Sequence, residues 1–113
     1  MIDGFYVSYF TGSTGSSIGM FMFKDGTIVG ADAGGGVYDG TYVVDETGKN
    51  LTGQITFRIH QGGQSITGAS APSGPISVDI PIVLPTEFTR HDVHTIQTPL
   101  GPVNAKFEKI REA

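Results

Sequence analysis

The chain has no cysteine and no tryptophan, and charged residues make up only 16% of it. Without thiols there is neither a disulfide framework nor a thiolate-held metal centre. Without indoles, the stacked-tryptophan cage of biotin-type barrels is excluded. The seven lysines and arginines are scattered (Lys24, Lys49, Arg58, Arg90, Lys106, Lys109, Arg111), and net charge is −4. Phosphate binding relies on clustered cations, so direct nucleic-acid contact is not expected. No run approaches the ~20 apolar residues of a membrane helix. The opening Met-Ile-Asp-Gly has neither the basic nor the apolar region of a secretory signal, which an outer-membrane barrel would need. A cytoplasmic protein is expected, without membrane contact and without a cofactor.

What the chain has in excess is glycine, seventeen residues with no triplet repeat, spaced between apolar runs. That distribution reads as many tight turns, hence all-β. Asp25-Gly26 is the clearest: a two-residue type I′ hairpin turn needs φ > 0 at both positions, and Asp-Gly supplies it. Eight strands follow from such punctuation, near residues 4–10, 18–24, 27–32, 37–44, 51–60, 76–84, 93–98 and 103–110. At 113 residues the chain fits one domain, 1–113. Short strands at even spacing predict a single eight-stranded antiparallel up-and-down barrel of the lipocalin-like kind, with a sandwich as the alternative. The tail 106–113 is the one weak helix candidate.

Alternation assigns faces. Leu51, Ile55, Phe57 and Ile59 oppose Thr52, Gln54, Thr56, Arg58 and His60, while Val78, Ile80, Ile82 and Leu84 oppose Ser77, Asp79 and Pro81. Val103, Ala105 and Phe107 continue the pattern, with Asn104, Lys106 and Glu108 outside. One strand breaks it. Ile18, Met20 and Met22 lie on one face and Phe21 and Phe23 on the other, so both faces are apolar. Such a strand needs a second cover: a loop, a helix, a second copy or another protein. Adaptable methionines recur at binding surfaces and also fill core gaps.

No catalytic constellation stands out, and no enzyme is expected. Gly15-Ser16-Ser17-Ile18-Gly19 has G-x-S-x-G spacing but leads into a strand, whereas a nucleophile elbow needs a strand-to-helix turn. The histidines, His60, His91 and His94, lack the three or four convergent ligands of a zinc site. Asp32 and Asp39 flank the run Gly34-Gly35-Gly36 and read as turn residues bonding local N–H groups. That run has no following Gly-Lys-Ser/Thr and no helix, so it is no phosphate loop. Tyr38 and Tyr42 share a face across Gly40. Core packing is the plainer reading; the alternative is a gap for a small apolar ligand, lined by Tyr38, Tyr42, Phe57 and Phe107.

Several segments together resemble one family. Asp3-Gly4-Phe5-Tyr6-Val7 looks like an opening strand. Phe23-Lys24-Asp25-Gly26-Thr27-Ile28, Gly30-Ala31-Asp32 and Tyr38-Asp39-Gly40-Thr41-Tyr42 look like a central motif. His60-Gln61-Gly62-Gly63 and Ser65-Ile66-Thr67-Gly68 look like a following hairpin. The first 70 or so residues thereby resemble the GrlR-like family, negative regulators of type III secretion encoded with the locus of enterocyte effacement. The resemblance implies a lipocalin-like eight-stranded barrel that forms homodimers. It also implies action by binding a transcriptional activator rather than by catalysis. The family's acidic partner-binding run, Glu-Asp-Glu-Asp, has no full counterpart; Asp45-Glu46 matches half of it. The expected contact residues are thus Ile18, Met20, Met22, Asp45 and Glu46.

Overall fold

The structure, a computed structural model, describes residues 2–59, 76–90 and 93–113. His60, His91 and the hairpin expected within 61–75 lie outside the described residues. Eight strands form one antiparallel sheet: β1 (Gly4–Gly12), β2 (Gly15–Lys24), β3 (Thr27–Asp32), β4 (Gly36–Val44), β5 (Asn50–Ile59), β6 (Ile76–Pro85), β7 (His94–Thr98) and β8 (Gly101–Arg111). The order β6-β5-β4-β3-β2-β1-β8-β7 joins consecutive strands from β1 to β6, joins β7 to β8, and joins β1 to β8. Among the described residues β6 and β7 approach each other without a ladder. The result is a nearly closed barrel, as the turn spacing predicts. No helix is present among the described residues. The helix candidate at 106–113 is corrected: Val103, Ala105 and Phe107 point inward in a strand that runs to Arg111, because a period of two buries them against β1.

Local chemistry sets the ladders. Asp25 and Gly26 both have positive φ (52° and 78°) and close the β2–β3 turn. At the β1–β2 hairpin, pairing runs out to Gly12↔Gly15. The turn is therefore shorter than the Gly/Ser-rich stretch 12–17 implies. Serine and threonine accept extended backbone here, which carries Ser16 and Ser17 into β2.

Inside, Tyr6, Phe10, Phe21, Phe23, Tyr42, Leu51, Ile82, Leu84 and Phe107 are buried in one cluster. Each large side chain removed from water stabilises by roughly 1.5–3 kcal/mol. Two glycines are required by close approach. A Cβ on Gly40 would lie 2.2 Å from the Gln54 carbonyl oxygen, and one on Gly53 would lie 2.2 Å from that of Thr41. These contacts let β4 and β5 cross tightly where the wall bends.

The barrel has two different ends. At one, the chain from β6 to β7 folds Phe88 inward until it is 1% exposed. Its ring packs on Tyr6, Phe23 and Phe107 at centroid distances of 5.1, 5.4 and 5.2 Å. His94 Nε2 meets the Phe88 carbonyl oxygen at 2.7 Å and holds that turn. At the other end, where β1, β3, β5 and β7 finish, Phe57 and Ile59 are buried in a second cluster, with Leu100 of the β7–β8 turn packed against it.

Candidate functional site

Above the Phe88 plug the interior is not filled. A cavity of about 90 Å³ remains, lined by Phe10, Phe21, Tyr38, Phe57, Ile80 and Phe107 among others. A water needs only ~10–15 Å³ of such space, while an engineered apolar cavity of ~150 Å³ takes benzene. This lumen therefore exceeds a single-water void and stays below the benzene-sized case.

Of the four lining residues expected, Tyr38, Phe57 and Phe107 border the cavity. Tyr42 does not. It lies on the same inner face but nearer the plugged end, where it packs on Phe23 at 5.5 Å and its hydroxyl donates to Asp3 Oδ1 at 3.1 Å. The gap at Gly40 is occupied by the approaching β5 backbone, so the room lies beyond Tyr38 rather than between the tyrosines.

The polar part of the wall gathers around Asp32, the last residue of β3. Its Oδ1 accepts the backbone N–H groups of Gly34 and Gly36, each at 2.9 Å, and its Oδ2 accepts the Tyr38 hydroxyl at 2.6 Å. Gly36 must be small here, since a Cβ would lie 2.7 Å from Oδ2 and 2.3 Å from the Phe57 ring. Burial first, and then this bond to Asp32, push the Tyr38 phenol far above its ordinary value. Ser17 also borders the cavity, and its hydroxyl has no hydrogen-bond partner among the described residues. Asp39 points outward and is exposed, so Asp32 and Asp39 form no acid pair. Asp32 is the turn residue expected, with a lumen contact besides. Ser17 is the serine of the G-x-S-x-G spacing, a pattern that carries no information about a place in the lumen wall. Phe88 left a faint one, a lone aromatic within a polar connection.

The outer surface carries the second feature. Phe21 and Phe23 are inside; Ile18, Met20 and Met22 face out. Register places them beside Tyr9, Val7 and Phe5 of β1, and sets Met20 and Met22 beside Ala31 and Val29 of β3. Met20 is 57% exposed, and Tyr9, Ile18 and Val29 are each at least 40% exposed. No described segment covers this uncharged face. By contrast, β5 turns Thr52, Gln54, Thr56 and Arg58 outward. Asp45 and Glu46 are not part of this face. They lie in the β4–β5 turn at the plugged end, whereas Ile18 is at the opposite end next to Ala33. The Asp45 carboxylate is engaged by Thr47 Oγ1 at 2.7 Å and by Asn50 Nδ2 at 3.3 Å. The Thr47 bond, ahead of those to Asn50, holds its pKa below the ordinary value. Glu46 is exposed.

Among the described residues no group of three or more His, Asp or Glu side chains could hold a metal. No described helix is long and apolar enough to cross a membrane. Fold and interior together define a nearly closed eight-stranded barrel with an apolar lumen. No protein-family model, curated protein or solved structure matches the chain.

Proposed function

We propose that this is a non-enzymatic regulatory protein that acts by protein contact, with the outer face of β1–β3 pairing it to a second copy of the chain. The observation that carries this is the contrast between strands. Three adjacent strands present Tyr9, Ile18, Met20 and Val29 to solvent, while β5 presents threonine, glutamine and arginine. An uncharged apolar patch of this kind is unusual on a monomer. Two copies, each of net charge −4, can meet there without burying a carboxylate. A single self-complementary patch suits a twofold dimer. The resemblance to the GrlR-like regulators supports the same reading, with a transcriptional activator as the protein partner held by the dimer. The polar outer face of β5 is unlike the lipid-facing band of a membrane barrel, which supports an aqueous compartment, the cytoplasm in this proposal.

The test is sedimentation of wild type and Met20→Asp. Met20 points outward, so the variant folds with an unchanged circular-dichroism spectrum. Wild type sediments as a dimer and the variant as a monomer. A monomeric wild type, or a variant that remains dimeric, would sink the assignment.

The cavity favours a second reading, a barrel that holds a small apolar ligand. Its lining rings and isoleucines are what such a ligand needs, and its volume exceeds that of one water. Both readings can hold in one molecule, because the patch lies outside the wall and the cavity inside it.

A further inference from the structure

We propose that the lumen is a site for a small aliphatic amine, bound tail-inward with its ammonium group on Asp32 Oδ2. The inference rests on the ligand reading of the cavity and adds the chemical class. Four observations lead to it.

First, the wall is mostly apolar; its polar side chains are Ser17, Asp32, Tyr38 and Thr98, and Asp32 is the one charged residue among those described in the lining. Second, Asp32 offers acceptors. A carboxylate oxygen has two lone-pair directions. Oδ1 has its two donors in Gly34 and Gly36, whereas among the described residues Oδ2 receives only the Tyr38 hydroxyl. The Tyr38 oxygen, having donated its proton, also presents an acceptor face. Third, no cation balances Asp32. No ion pair to it exists among the described residues, and none of the seven lysines and arginines lines the cavity. Lys24, Lys49, Arg58, Arg90, Lys106 and Arg111 are exposed at the surface. Lys109 bonds Glu112 at 2.8 Å and lies over the Tyr6 ring toward the plugged end. A carboxylate beside an apolar lumen, held by neutral donors alone, is complementary to an ammonium ion. It repels a fatty acid. Fourth, the size limits the tail. About 90 Å³ stays below the ~150 Å³ of an engineered cavity that takes benzene, room for a short aliphatic tail and not for a fused ring system.

The absent Cβ at Gly36 belongs to the same arrangement. A side chain there would lie against Oδ2 and the Phe57 ring, closing the approach between acceptor and aromatic wall.

The experiment compares butylamine, butanol and butyrate, three ligands with one tail, by following the methyl resonances of Ile55, Ile80, Ile82 and Ile96 during titration. A charge-assisted bond exceeds a neutral one by enough that butylamine binds at least about tenfold tighter than butanol. Butyrate binds weakest. Asp32→Asn keeps an oxygen for Gly34 and Gly36 and brings butylamine down to the butanol level. Tyr38→Phe frees Oδ2 and retains the amine preference, which separates loss of charge from loss of the local bond should Asp32→Asn unfold. If the three ligands bind alike, or butyrate binds best, the amine assignment is overturned while the ligand reading stands. If none shifts the isoleucine methyls, both fall.

Discussion

Replacing Phe88 with alanine tests whether the barrel end is closed by one side chain from a turn. The ring is 1% exposed and packs on three others, Tyr6, Phe23 and Phe107. Truncating a buried phenylalanine costs about 3–5 kcal/mol, the loss of transfer energy plus the void left behind. Phe88 sits on a turn between β6 and β7 rather than on a strand, so the chain can sag into part of the space. The lower end, about 3 kcal/mol, is therefore expected. Against a total stability of about 5–15 kcal/mol, that is a large fraction. At about 4 °C per kcal/mol for a chain of this size, Tm falls by about 12 °C. Urea unfolding followed by circular dichroism measures it, with Phe88→Leu as the control at under about 1.5 kcal/mol. A loss below about 1 kcal/mol for Phe88→Ala, with an unchanged m value, would show that the ring is not the plug. The His94 bond to the Phe88 carbonyl involves backbone and survives both substitutions, so the difference between them reports on the ring.

Alkaline pH weakens the fold through its buried phenols. Folded Tyr38 titrates well above the ordinary value of 10.0, because of burial and then Asp32. Its contribution is thus complete below about pH 10 and is lost as pH rises toward its folded pKa, at about 1.4 kcal/mol per pH unit. Tyr6, pushed up to about 12 by burial first and Glu112 next, and Tyr42, raised by burial and Asp3, act in the same direction, with solvent screening reducing their share. Tyr38→Phe makes urea midpoints fall less steeply above about pH 10, and an identical slope would refute the assignment. Gly40→Ala places a Cβ against the Gln54 carbonyl oxygen and the Ile55 Cα, both backbone, and costs about 1–3 kcal/mol; a stability equal to wild type would deny the close approach.

Much of the barrel is legible in the sequence because its strands obey a period of two. Leu51, Ile55, Phe57 and Ile59 face inward as their alternation requires, and Asp25-Gly26 turns where the dipeptide demands. The doubly apolar strand is likewise written in the order Ile18, Met20, Met22 against Phe21 and Phe23. No described segment of this chain covers its outer face, and the period-two pattern that exposes the face does not encode what would. The site is less legible. Tyr38 and Tyr42 look equivalent in sequence, yet one borders the cavity and the other meets Asp3. The difference arises from the β4–β5 crossing at Gly40 and Gly53, a long-range approach that local periodicity does not carry. Ser17 stands out in sequence only as the centre of a G-x-S-x-G spacing, which says nothing of the lumen. Asp32 is visible as a turn residue, but its second partner, Tyr38, depends on which way β4 faces.

The missing ladder between β6 and β7 gives the wall a mechanical character that a fully stitched cylinder lacks. Seven strand pairs are fastened by backbone hydrogen bonds, and at the eighth seam the strands approach without a ladder. Pro81, opposite Gln54 in the β5–β6 ladder, lies on this edge strand, where a residue without an N–H is tolerated. Girth is accordingly set at that seam, where widening separates neighbouring strands without breaking a ladder hydrogen bond. The molecule behaves as a cuff rather than a pipe. The wall is slit along that one line, while the other seven joints, and the outer face of β1–β3 on the far side of the sheet order, are held in register by their ladders.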